Sequence, residues 1–336
     1  MAKPVRVGTP LLPYACPVTP AELSLTVLHA VRRAVGDGAL RVDVPSRAKI
    51  ERARPGGAGE YASNIALALA RPAGRSALDV AGILEERLRG VPGLRAVEIT
   101  GPGFLNFTLR GDADADLVRE VLAAGTSYGH GAALAGTTVR LAGGDGPRAV
   151  LVVGTLARLL RSQGADVEVG AHDGERIHVR PGEPGAYGDD ITRWAFLRAA
   201  PHDRPLDPAP LLVPHERNPL FRVKYAHSRT RRLLVNARQL GFPPEPGECD
   251  DPVLLGLLRD HPLALLSAAR HRAPDRVARH LEAVADALLA FQHTVLPLGD
   301  EKPSAAHRSR LALAEAAGTV LAGGLSALGI SAPDRI

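Results

Sequence analysis

Apolar residues recur at helical spacing from Thr19 to about Val35, where Leu23, Val27, Leu28 and Val31 form one stripe. Thr19-Pro20-Ala21-Glu22 supplies an N-cap, a proline at the first helical position and an early acid, so a helix is predicted there. Alternation in Leu40 to Val44, Ala96 to Ile99 and Phe104 to Leu109 predicts strands, with helices over Tyr61 to Arg71 and Ala77 to Arg89. Residues 18–110 therefore read as a small α+β domain.

The pattern then changes. Thr138 to Leu141 is strand-like, Gly143-Gly144-Asp145-Gly146-Pro147 is a turn, Ala149 to Ser162 is an apolar helix, and Asp166 to Val169 is strand-like again. That is one βαβ-like unit within residues 111–205, followed by a helix around Asp190 to Ala199 and a proline-rich linker from Pro201 to Pro214. Within residues 206–336, long helical patterns from Asn218 onward alternate with short loops at 241–251, 271–275 and 299–304, which predicts an antiparallel helix bundle.

A chain of 336 residues is long for one compact domain, and 45% hydrophobic residues allow each module a core. No uninterrupted apolar stretch of about 20 residues is evident and the proline-broken N-terminus lacks a secretory h-region, so a soluble, cytoplasmic protein with no membrane partner is expected. Cys16 and Cys249 are far apart in sequence and outside any CxxC or Cys/His pattern, which points to two reduced thiols rather than a disulfide or a zinc site. The formal charge of +5 suits a polyanionic partner. Nearly all of the positive charge is arginine, the lysines being Lys3, Lys49, Lys224 and Lys302.

The basic residues cluster on one predicted helix. From Phe221 onward, Val223, Ala226, Thr230, Leu233, Leu234 and Ala237 share an apolar stripe, while Lys224, Arg231 and Arg238 recur every seven residues along one flank. Arg229 and Arg232 lie toward the far side with Tyr225. Cations and an aromatic ring on one exposed face are what phosphate contact and base stacking require, and an idle solvated face would carry the same residues.

Gly59-Glu60-Tyr61-Ala62-Ser63-Asn64, followed by Gly101-Pro102-Gly103-Phe104-Leu105-Asn106-Phe107, resembles the N-terminal domain of arginyl-tRNA synthetases, where GDYA(T/S)N and GPGF(I/L)NF stand in this order. Asn218-Pro219 through Tyr225-Ala226-His227-Ser228-Arg229 resembles the start of that family's DALR-type anticodon-binding bundle, and the final SAPDRI resembles its terminal SAPERM. The resemblance implies tRNA, of the arginine type, as partner, with the elbow read by an aromatic-x-Asn pair, here Phe104 and Asn106. Phe107 is available for the core, so Phe104 is expected to face outward. In the bundle it implies contacts from Lys224, Tyr225, His227, Arg229, Arg231, Arg232, Arg238 and the terminal Ile336. Two positions depart from the family: Ile336 replaces a methionine, and Lys224 replaces a glutamine.

Class I synthetases activate their amino acid with a HIGH-type histidine pair and a KMSKS-type lysine loop. The turn that aligns with the first carries no histidine, and the stretch expected for the second reads Ile177-His178-Val179-Arg180-Pro181-Gly182. The expected architecture is therefore an α+β N-terminal domain, a short α/β remnant of a class I core and an all-α DALR-type bundle. The expected function is that of a catalytically inactive, cofactor-free tRNA-binding accessory or delivery factor, with an aminoacyl-tRNA-using enzyme as a candidate partner. Two alternatives stand beside it: an enzyme completed by a partner with a nucleotide site at Gly143 to Gly146, and a protein-interaction module. His172, Asp173, Glu175 and His178 fit no metal-ligand spacing and read as decoration of a hairpin.

Overall fold

The computed structural model describes residues 20–53, 58–109 and 112–336. These form two compact units, divided after Ala113. Cys16 and the N-cap Thr19 lie outside the described residues.

The first unit contains α1 (Pro20–Gly36), β1 (Ile50–Arg52), β2 (Tyr61–Ser63), α2 (Ile65–Ala73), α3 (Ala77–Leu88), β3 (Leu94–Thr100) and β4 (Phe104–Leu109). Its antiparallel sheet has the order β1-β2-β4-β3. The helices bury Leu23, Val27, Val31, Leu69, Val80 and Leu84 against Leu105 and Phe107 of the sheet. Two expectations fail here. Leu40 to Val44 forms no strand although Leu40 is buried, and the stretch from Tyr61 begins as a strand before turning helical at Ile65. Tyr61 pairs with Phe107 on one side and Arg52 on the other, and these distant partners override a local helical pattern.

The second unit contains α4 (Asp112–Ala124), β5 (Thr138–Leu141), α5 (Pro147–Ser162), β6 (Asp166–Val169), α6 (Asp189–Leu197), α7 (Pro219–Gln239), α8 (Pro252–Arg270), α9 (Asp275–Phe291) and α10 (Ala305–Leu328). β5 and β6 pair in parallel, as a βαβ crossover through α5 requires. Leu141, Leu156 and Leu160 share one continuous core with Leu233, Leu281 and Leu325 of the bundle. Residues 114–205 share one compact unit with the bundle.

Small residues let α10 run through the centre of that bundle. A Cβ on Gly318 would lie 2.3 Å from the Thr230 hydroxyl of α7, and one on Gly324 would lie 2.4 Å from Leu281 of α9. α10 is long and apolar enough by composition to cross a membrane, yet 67% of its apolar window is buried within the fold. It is the bundle's core helix.

Arg148, in the first turn of α5, is 1% exposed and donates only to backbone carbonyls. Its Nε reaches Phe196 O (3.2 Å), Nη1 reaches Arg180 O (3.0 Å) and Asp203 O (2.6 Å), and Nη2 reaches Ala199 O (3.3 Å) and Ala200 O (3.0 Å). One guanidinium thus ties the end of α6 to the loops on either side of it, giving a donor to the carbonyls of the buried Phe196 and Ala199. Burial lowers its pKa from the ordinary arginine value, and the carbonyl cage keeps the charge tolerable.

Arg148→Met should therefore destabilise the second unit by about 2–5 kcal/mol, because the acceptors on the buried Phe196 and Ala199 lose this donor at once. Trp194, the chain's one tryptophan, is fully buried on α6 and reports the unfolding by fluorescence in urea. A loss below about 1 kcal/mol would show that the carbonyls find other partners.

Candidate tRNA-binding faces

In the first unit the motif residues build the sheet before they offer anything to a ligand. Gly59 has φ 71°, and a Cβ there would sit 2.5 Å from Phe107 O. Gly103 has φ 128°, with Ala77 O at 2.8 Å from its would-be Cβ. Only glycine suits such close approaches at positive φ. Glu60 accepts from Leu109 N through Oε2 (2.7 Å), and Ser63 donates to Lys49 O (2.8 Å). These contacts fix β4, on which Phe104 is 38% exposed while Phe107 is wholly buried.

Asn106 shares the outer face with Phe104 but is only 6% exposed. Its Nδ2 donates to Thr100 Oγ1 (2.7 Å) and to Glu98 O (3.4 Å), so the amide that was expected to read a base braces the β3–β4 hairpin. Glu98, exposed and directly opposite Asn106 in the register, adds a negative charge to that face. Of the pair, Phe104 is the member open to a ligand.

In the second unit α7 starts at Asn218, whose side chain accepts from Phe221 N (3.1 Å) with Pro219 in the first turn. Its stripe of Val223, Ala226, His227, Thr230, Leu233, Leu234 and Ala237 is buried. The two flanks differ. Lys224, Arg231 and Arg238 face the chain's own carboxylates: Lys224 Nζ is 2.5 Å from Asp190, Arg231 is 3.0 Å from Asp334, and Arg231 and Arg238 both act electrostatically on Glu315. The opposite face carries Tyr225, 39% exposed and stacked on Phe221 at 5.7 Å, together with Arg229 and the exposed Arg232. Arg229 donates from Nε to Gln292 Oε1 (2.6 Å).

The difference arises because the C-terminal segment lies along α7. Ile330 is buried, Ser331 N donates to Asp190 Oδ1 (3.2 Å), and Ser228 donates to Asp334 O (3.1 Å). His227 is 6% exposed with Nδ1 at 3.0 Å from Pro333 O, which fixes the neutral Nδ1–H tautomer as donor. His227 thus clasps the tail, and Lys224 is half-buried and paired with Asp190. Ile336 remains 60% exposed. Burial pushes the Asp190 carboxyl upward, but the Lys224 and Ser331 contacts outweigh it and hold the group below the ordinary carboxylate value.

The middle segment's polar residues are engaged with one another. Asp145 pairs with Arg176 (3.0 Å), Asp173 with Arg140 (2.5 Å) and Glu175 with Arg272 (2.7 Å). Gly144 lies against the first turn of α5, where a Cβ would come within 2.5 Å of the Ala149–Val150 peptide. Among the described residues no group of three or more His, Cys, Asp or Glu side chains is arranged to hold a metal. Burial pushes the Cys249 thiol up to about 11, which leaves it protonated and unreactive near neutrality.

Known proteins resemble the chain at both ends. The family described as arginyl tRNA synthetase N terminal domain matches residues 22–109, and the DALR anticodon binding domain matches residues 223–336. This pairing defines a multidomain protein of the tRNA synthetase type. The chain carries an arginyl-tRNA synthetase N-terminal domain and a DALR anticodon-binding domain. It is similar to the arginine–tRNA ligase of Frankia alni, 44% identical over 160 residues, which cover 45% of this chain and 29% of that protein. It is also similar to that of Micrococcus luteus, 37% identical over 206 residues, covering 52% and 37% respectively. The chain thus spans well under half the length of these relatives. The Thermus thermophilus arginyl-tRNA synthetase structure shares the fold at TM-score 0.60 and 15% identity, covering 94% of this chain and 100% of that one.

These names correct one expectation. The reading of the chain as a non-enzyme rested on missing signature residues, whereas the relatives it matches carry the name of an enzyme, and no observation on this chain shows inactivity.

The histidine placements carry a pH dependence. Burial, above all, holds both His227 and His261 below the ordinary histidine value, His261 far below it, with the charges of His280 and His130 adding to the effect. A depressed folded pKa means that the unfolded chain binds more protons once the pH falls below about 6.5, so stability is full above that pH and is lost below it. The second unit's urea midpoint, read from Trp194, should fall between pH 7 and pH 5.5 with a slope of up to about 1.4 kcal/mol per pH unit for each histidine. His261→Gln should flatten that slope; an equally steep dependence in the variant would assign it to other groups.

Proposed function

We propose that the chain binds tRNA through both of its units, the first contacting the elbow and the second the anticodon region, and that it serves as an accessory that holds or delivers tRNA to an aminoacyl-tRNA-using enzyme. The observation that carries this reading is the presence of both flanking domain types of the family in one chain, at residues 22–109 and 223–336. The residues between them supply the βαβ unit and α6, which we read as a shortened remnant of a class I core: two parallel strands are far fewer than a doubly wound nucleotide fold uses. On the first unit the contact is Phe104, whose ring offers a stacking platform. On the second it is the Tyr225, Arg229 and Arg232 face of α7 together with the exposed terminal Ile336; Arg231 and Arg238 contribute less, being opposed by Asp334 and Glu315. The relatives' name favours a second reading, arginine attachment to tRNA, and arginine-dependent charging by the chain would establish it.

Filter-binding titrations of arginine tRNA at several salt concentrations test the faces separately. Phe104→Ala and Tyr225→Ala should each weaken binding by about 1–3 kcal/mol at every salt concentration, because a stacked ring releases few counterions. Arg229→Gln with Arg232→Gln should make the logarithmic salt slope shallower by about one to two units, while Arg231→Gln with Arg238→Gln changes it less. Equal effects of the two arginine pairs would mean that the tail leaves α7 when tRNA binds; no effect of either pair would remove α7 from the interface.

A further inference from the structure

A cleft of about 730 Å³ opens within the second unit, away from the α7 face. Residues 175–178 and 200–203 form one wall and the α8–α9 turn with the first turns of α9 forms the other. Its volume falls in the range of small-molecule sites.

The lining is cationic. Arg176, Arg272, Arg276 and Arg279 converge on it together with the imidazoles of His178, His202 and His271. Three carboxylates line it as well: Glu175 is occupied by Arg272, which grips both of its oxygens at 2.7–3.2 Å, and the exposed Asp203 lies 3.9 Å from the His202 imidazole. Asp275 is 4% exposed and pairs with Arg279 at 3.1 Å through Oδ2. Arg276 spends Nη1 on the Ser267 hydroxyl (2.6 Å) and has no carboxylate partner among the described residues, and Arg176 pairs with the exposed Asp145. Two arginines are thus left with donors to offer.

The walls are held in place at a cost in backbone energy. Arg272 adopts φ 54°, the one non-glycine residue among the described residues with positive φ, at the end of α8 where glycine is the usual choice. The side chain explains the exception, because Arg272 crosses from the bundle to Glu175 and also donates to Ala269 O (2.8 Å), fixing the spacing of the two walls. No phenylalanine, tyrosine or tryptophan lines the cleft, so it offers no platform for a nucleobase.

We propose that this cleft is a binding site for a compact, phosphate-bearing anion, held by Arg176 and Arg276 with the histidines around it. Guanidinium forks are the side chains suited to bidentate phosphate contact, and a fixed spacing limits the ordering that binding requires. The proposal does not depend on the tRNA-binding faces, which involve other residues.

Isothermal titration of the full chain with tripolyphosphate, against sodium chloride at matched ionic strength, tests it. The expected result is saturable binding that weakens by roughly tenfold or more in Arg176→Gln with Arg276→Gln. Arg276→Gln alone, which leaves the Arg176 to Asp145 pair intact, should lose part of that affinity, and the urea midpoint read from Trp194 verifies folding of both variants. A tRNA titration of the same variants identifies the source of the phosphate. Unchanged tRNA affinity assigns the cleft to a free phosphate compound; joint loss, with tripolyphosphate displacing tRNA, assigns it to the RNA backbone. Absence of saturable tripolyphosphate binding, or equal affinity in folded variants, overturns the proposal.

Discussion

The second unit depends on one buried guanidinium. Arg148 collects carbonyls from residues 180, 196, 199, 200 and 203, and in doing so ties the start of α5 to both ends of the loops around α6. A lysine could not span these acceptors, having three donors on a single nitrogen where arginine spreads five over a planar fork. With α6 fixed, Arg198 grips Glu282 of α9 through two hydrogen bonds (2.6 and 3.0 Å), and Asp190 is delivered to Lys224 and Ser331. The middle segment is therefore an integral wall of the bundle.

This chain of contacts decides what α7 can offer. Asp190 from α6 and Asp334 from the tail take up the flank of Lys224 and Arg231, and the clasp between His227 and the Pro333 carbonyl seats the tail itself. What remains open is the Tyr225, Arg229 and Arg232 side. The cationic residues of α7 are thus divided between holding the fold and meeting a partner. The division follows from helix geometry, since positions seven apart share one flank and that flank happens to border the tail.

The bundle was legible in the sequence because its helices carry their own apolar period and their own boundary signals, starts at Asn218-Pro219 and Asp251-Pro252 and a stop at Gly329. The small strands were less so. β2 is three residues long and exists only because Tyr61 meets Phe107, a pairing that no local pattern contains, while Leu40 to Val44 alternates correctly and finds no partner. For the site, sequence spacing found the basic flank of α7 but not the carboxylates that cover it, which come from positions 190, 315 and 334. Asn106 shows the same limit: its amide is spent on Thr100, a neighbour set by the β3–β4 register. The activity carried a different lesson. Missing signature residues suggested a non-enzyme, and the names of the relatives do not support that conclusion.

Hydroxyl-radical footprinting of arginine tRNA in complex with the full chain tests the two-unit account most directly, because it maps both proposed contacts in one molecule. The account predicts protection of the elbow and of the anticodon stem-loop together, with elbow protection lost in Phe104→Ala and anticodon protection retained. Protection confined to the acceptor end, or none at either region, would contradict it.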